Sequence, residues 1–198
     1  MKEPMVVIDG SYGGDQRWFP RKRQQVTGCG AVAASNILAA LAAAHGSRRG
    51  PLAPDGAASR ETYLPLMEDL YRRLRPGLLG LWSTRKWTRT VLAWAQEHGM
   101  PLIAHHCSFR ESPETCRAFL ARFLDRGLPV AALNLRTGLP HKAPYDWHWI
   151  TVTGLEGDRM TFSSWGQRRT ESWSDYYHRA ATALWKGGLV AFEEAHPL

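Results

Sequence analysis

The stretch Gln24-Gln25-Val26-Thr27-Gly28-Cys29-Gly30-Ala31-Val32-Ala33-Ala34-Ser35-Asn36 puts a thiol at the head of a small, apolar run that continues to Ala44. Strong helix formers fill the run. Apolar residues lie nearly all round it, so it predicts a helix buried on most sides. The run is too short to span a bilayer and carries Ser35 and Asn36. A helix N-terminus gathers unsatisfied N–H groups and the positive end of the dipole, the field that favours a thiolate. Cys29 is therefore the candidate nucleophile. Gly28 and Gly30 would keep bulk away from it and let a substrate backbone approach, with Thr27 as helix cap. The amide of Gln24 or Gln25 is suited to donate to an oxyanion alongside the Cys29 N–H.

A base has to come from elsewhere in the chain. Outward from Cys29, residues 11–28 read as loop and residues 46–59, rich in Gly, Pro, Ala and Arg, as a surface loop. A helix is expected after Ser59, with Tyr63, Met67, Leu70 and Leu74 on one stripe. Another is expected over 84–98, and a third from the cap Ser112 with Pro113 at its first position and Gly127 past its end. Residues 101–108, 129–135, 148–155, 159–165, 168–171 and 189–192 read as strands, the third of them alternating in hydrophobicity, with a short helix from Ser174. Helices gather early and antiparallel strands late, an α+β layout with a cleft between the two parts. His148 opens a strand at a position that can face that cleft, which makes it the candidate base. Its hairpin partner carries Ser163, the candidate third member, and Asp146 and Asp158 lie near as substitutes. Trp147, Trp149 and Trp165 are expected to line the groove. Trp82, Trp87 and Trp94 read as core or cleft wall.

A Gln, then Cys-Gly opening a buried helix, then a His opening a strand, then Ser164-Trp165-Gly166 resembles the papain-like cysteine peptidases. The compact Cys-Gly form is most similar to the bacterial branch that includes the double-glycine leader peptidases. The resemblance covers residue 24 to about 177 and implies a papain-like fold, a thioester acyl-enzyme and no metal. It puts Cys29 in the nucleophile's place, His148 in the base's, Gln24 or Gln25 in the oxyanion donor's and Trp165 in that of the tryptophan shielding the orienting hydrogen bond. Two positions depart from the family pattern: Ser163 stands where Asn or Asp is expected, and Gly30 follows the nucleophile instead of Trp.

Composition bounds the alternatives. The 198 residues, 44% hydrophobic with nine Trp, suit a single domain over 1–198, helical over about 24–127 and sheet over about 128–198. Three cysteines without a CxxC pair fit neither a disulfide scaffold nor a zinc site. Cys107 and Cys116 read as core thiols. Neighbours on a strand point to opposite faces, so His105-His106-Cys107 cannot close on one ion. His141 reads as a surface residue. The net charge of +7 is spread over pairs such as Arg48-Arg49, Arg72-Arg73 and Arg168-Arg169. That pattern reads as a solvated surface, with no nucleic-acid partner expected. No secretory signal is visible, so no membrane association and a cytoplasmic location are expected. The expected partner is a peptide or amide substrate, with no cofactor. Two other outcomes share the same site: acyl transfer to an amine, and a degenerate domain that only binds peptides.

Overall fold

Helix α2 (Cys29–Ala44) is buried from Gly30 to Ala42, as its apolar circumference requires. The other elements pack around it. The computed structural model describes residues 4–44, 59–136 and 145–195; all but the last residue of the expected 46–59 loop, and His141, lie outside them. Helix α3 (Arg60–Leu74) starts at Ser59, whose hydroxyl accepts from the Thr62 N–H, and packs along α2. Helix α4 (Thr84–Glu97) is capped in the same way by Ser83, and α5 (Pro113–Leu124) by Ser112 with Pro113 in the first turn. Gly127, at φ +71°, closes α5 in the left-handed conformation its position demands.

Six antiparallel strands form the sheet: β3 (Leu102–Ser108), β4 (Val130–Asn134), β5 (His148–Glu156), β6 (Arg159–Ser164), β7 (Gln167–Ser172) and β8 (Gly188–Glu194), in the spatial order β3-β8-β4-β5-β6-β7. Helices α2 and α4 cover one face, where Trp87 stacks on Trp149 and touches Phe192. Helix α5 covers the other, through Phe123 against His105 and Cys116 against Cys107. Coverage on both faces explains one departure from expectation. Strand β5 does not alternate; His148 to Thr153 are buried without a break. The outcome is the expected α+β arrangement, helices and antiparallel sheet sharing one core.

The second departure lies in residues 11–28. Instead of plain loop, they hold strand β2 (Ser11–Tyr12) paired with β1 (Val7–Ile8), a 3₁₀ turn (Gln16–Trp18) and helix α1 (Lys22–Thr27). Thr27 consequently ends α1 and does not cap α2: its hydroxyl donates to the Arg23 carbonyl and meets the Tyr71 hydroxyl. Gly28 forms the break, its carbonyl accepting from the Ala31 and Val32 N–H groups.

Beneath the sheet, two turns along α2 from Cys29, the buried Asn36 amide joins four other segments. Its oxygen accepts from the Gly14 N–H at 2.9 Å and the Tyr63 hydroxyl at 2.8 Å. Its nitrogen donates to Thr151 at 3.2 Å and, more weakly, to Ser163 at 3.5 Å. Asn36→Ala would strand these groups in a dry interior. We expect a loss of about 2–4 kcal/mol in urea unfolding, whereas an exposed change such as Val26→Ala should move stability by less than about 0.5 kcal/mol.

Candidate active site

Cys29 is the first residue of α2, so its N–H and that of Gly30 have no intrahelical partner. Both point at the Cys29 sulfur, as does the backbone N–H of Trp149 from β5. Three N–H donors favour a thiolate, but the surrounding side chains desolvate the sulfur. Burial wins: it pushes the Cys29 thiol up from its ordinary value, and the three N–H groups only moderate the rise. The flanking glycines differ in their packing. A Cβ on Gly28 would lie 2.4 Å from the Gln24 carbonyl oxygen and 2.5 Å from the Phe19 ring. One on Gly30 would meet Leu81 and Trp149 at 3.4 Å. Crowding therefore requires glycine at 28, whereas at 30 the contacts are of ordinary van der Waals length.

His148 opens β5 beside Cys29, and the two line one cleft. The His148 Nε2 meets the Ser164 hydroxyl at 2.9 Å. The expected third member, Ser163, lines the same cleft, but its hydroxyl is engaged by other groups. It pairs with Thr151 across the ladder, lies beside Asn36 and donates its hydroxyl to the Tyr12 carbonyl at 2.5 Å. Successive strand residues face opposite ways, so a one-residue difference separates the group under α2 from the group on the imidazole. Asp146 is buried and held by Asn134 and Arg179. Asp158 sits in the β5–β6 turn and accepts from Ser172 and Ser174 at the start of helix α6 (Trp173–Thr182).

Two tryptophans flank the His148–Ser164 pair in sequence, both in the left-handed region that bulky residues avoid: Trp147, at φ 52° and outside the cleft lining, and Trp165, at φ 50°. Such conformations cost roughly 1–3 kcal/mol each and persist only when their surroundings hold them. Trp165 stacks on His148 at 4.5 Å, and its carbonyl accepts from Arg17. Trp147 donates its indole N–H to the Leu79 carbonyl and packs edge-on against Trp185. The strain re-aims the chain on either side of the His148–Ser164 pair. Trp149 lines the cleft from a buried position, its indole N–H donating to Leu81. Trp87 and Trp94 are core, whereas Trp82 is 62% exposed and belongs to neither core nor this cleft.

The glutamine in the cleft is Gln16, from the 3₁₀ turn, and not Gln24 or Gln25; the Asn36 amide lines it too. Gln24 turns back to accept from the Arg21 N–H, a capping role, and Gln25 donates to the Phe19 carbonyl. Gln16 donates one N–H to the Gln25 carbonyl at 2.7 Å. Its amide nitrogen carries a second hydrogen. A glutamine opening a short turn, preceded by the capping Asp15, was the signal available in the sequence. The cleft is narrow, with room for about one water (≈ 10 Å³).

Among the described residues no group of three or more His, Cys, Asp or Glu gathers around one point, and no helix is long and apolar enough to cross a membrane. The charge is less scattered than the sequence suggests: Arg72, Arg73, Arg75, Lys86 and Arg89 line one concavity of ≈ 750 Å³ between α3 and α4. Asp69 pairs there with Arg72 and Arg73.

No family profile and no curated relative matches the chain. Among solved structures it is similar to the peptidase domain of Streptococcus ComA, a bi-functional ABC transporter involved in a quorum-sensing pathway. That likeness has 13% identity and a TM-score of 0.45, over 98% of each chain. At this level it says nothing about residues or activity, which the site's own geometry has to support.

Because burial raises the Cys29 thiol, its thiolate fraction below the raised value is smaller folded than unfolded. Iodoacetamide should label native Cys29 more slowly at pH 7–8 than the same thiol in urea. The native rate should climb only as pH passes beyond the usual value of about 8.5. Faster labelling in the native protein would contradict this electrostatic balance.

Proposed function

We propose that the protein is a papain-like cysteine peptidase or amidase that cleaves acyl–nitrogen bonds through a thioester at Cys29. The observation that carries this reading is the convergence of Cys29, His148 and Gln16 on one cleft, with Ser164 on the imidazole. An Nε2–H given to Ser164 fixes the tautomer whose Nδ1 accepts a proton. Burial raises the Cys29 thiol, so proton removal accompanies attack: Nδ1 takes the thiol proton as Sγ bonds to the substrate carbonyl carbon. The Cys29 N–H and the second Gln16 N–H receive the oxyanion. Collapse breaks the C–N bond, and the imidazolium protonates the departing amine. Water, activated by the same imidazole, then releases the acid and frees the thiol. An amine in place of that water would give acyl transfer. A serine hydroxyl stabilises an imidazolium less than a carboxylate does, so modest turnover is expected.

The test is a peptide-library digest read by mass spectrometry, followed by kinetics on the best substrate. Cys29→Ala should abolish turnover while leaving the fold intact. Gln16→Ala should lower kcat about 100-fold, and Gln25→Ala should not match that loss. Ser164→Ala should lower kcat about 10-fold or more, with Ser163→Ala acting on stability instead. Turnover surviving in Cys29→Ala would sink the proposal.

One observation favours a second reading, a papain-like domain that binds peptides without cleaving them: the desolvated thiol, with a serine where a carboxylate would be stronger. This reading predicts equal peptide affinity for wild type and Cys29→Ala, and no product from either.

A further inference from the structure

Two cysteines play no part in the cleft. Cys107 lies on β3, the edge strand of the sheet, facing α5, and Cys116 lies in the first turns of α5. Their sulfurs are 3.5 Å apart. The connecting turn is pinned, with the Glu111 N–H on the Ser108 carbonyl and the Arg110 N–H on the Ser108 hydroxyl. Cys116 also approaches the Ser108 carbonyl at 3.4 Å. The two thiols are thus held against each other by the strand, the turn and the helix together.

We propose that Cys107 and Cys116 are an oxidisable pair that closes to an intramolecular disulfide, tying β3 to α5 while Cys29 remains a single thiol. Bond formation needs the sulfurs to approach to about 2.05 Å, a movement of side chains more than of backbone. A low-molecular-weight disulfide, RSSR, serves as oxidant. Cys107, the less buried at 7% exposure against 0% for Cys116, attacks first as thiolate and expels one RS⁻. Cys116 loses its proton and attacks the Cys107 sulfur of the mixed disulfide, expelling the second. The balance is two protein thiols plus RSSR giving one protein disulfide plus two RSH. Burial raises both thiols, and the neighbouring Cys116 S–H favours the Cys107 thiolate, in keeping with this order of attack. The cross-link encloses a short loop. It restrains an edge strand that is otherwise bonded to β8 alone within the sheet.

The experiment uses the whole chain incubated with oxidised glutathione at mildly alkaline pH, then quenched with iodoacetamide in denaturant. The expected product has lost two hydrogens, with Cys107 and Cys116 cross-linked in the peptide map. Tm should rise by about 5 °C and fall back on reduction. Cys116→Ala should show neither the cross-link nor the Tm rise. Recovery of both Cys107 and Cys116 as alkylated thiols after oxidation would overturn the proposal, as would a disulfide that involves Cys29.

Discussion

One buried amide holds the molecule's working parts in register. Asn36 of α2 satisfies the Gly14 N–H, the Tyr63 hydroxyl and Thr151, and reaches Ser163. An unmatched polar group in such an interior is costly, so the N-terminal segment, α3, β5 and β6 dock where their groups meet this one side chain. Cys29 stands two turns earlier on the same helix, and α2 runs against β5, whose first residue is His148. The constraint that positions the sheet also brings Cys29 and His148 to one cleft.

At the cleft two opposing effects set the chemistry. The start of α2 and the Trp149 N–H surround the half-buried sulfur with donors, while burial desolvates it. Desolvation outweighs the donor field and raises the thiol, which gives the imidazole's orientation weight in proton transfer. That orientation rests on Ser164 and on Trp165, whose left-handed backbone is fixed by the Arg17 contact and by stacking. Local strain at Trp147 and Trp165 is held by their contacts, Trp185 and the Leu79 carbonyl for the first and His148 and Tyr145 for the second.

Much of this was legible from residue order. The periodicity of α3, the capped start of α5 at Ser112, the all-round apolar character of α2, and a strand opening at His148 are short-range signals. They depend on neighbours within a turn or a hairpin, and the structure bears them out. Cys29 at a helix start and His148 at a strand start followed from the same signals.

The tertiary structure decided what depends on distance in space. Register placed Ser164 on His148 and turned Ser163 toward Asn36, because adjacent strand residues face opposite sides. The 3₁₀ turn over Gln16–Trp18 brought Gln16 into the cleft, and α1 used Gln24 as a capping side chain. Helix α5 set Cys116 on Cys107, and the α3–α4 packing gathered the arginines that the sequence shows only as pairs. Local propensity fixes which element forms and where it starts. Which atoms then meet is set by long-range pairing and by the need to satisfy every buried polar group, and neither can be read from spacing alone.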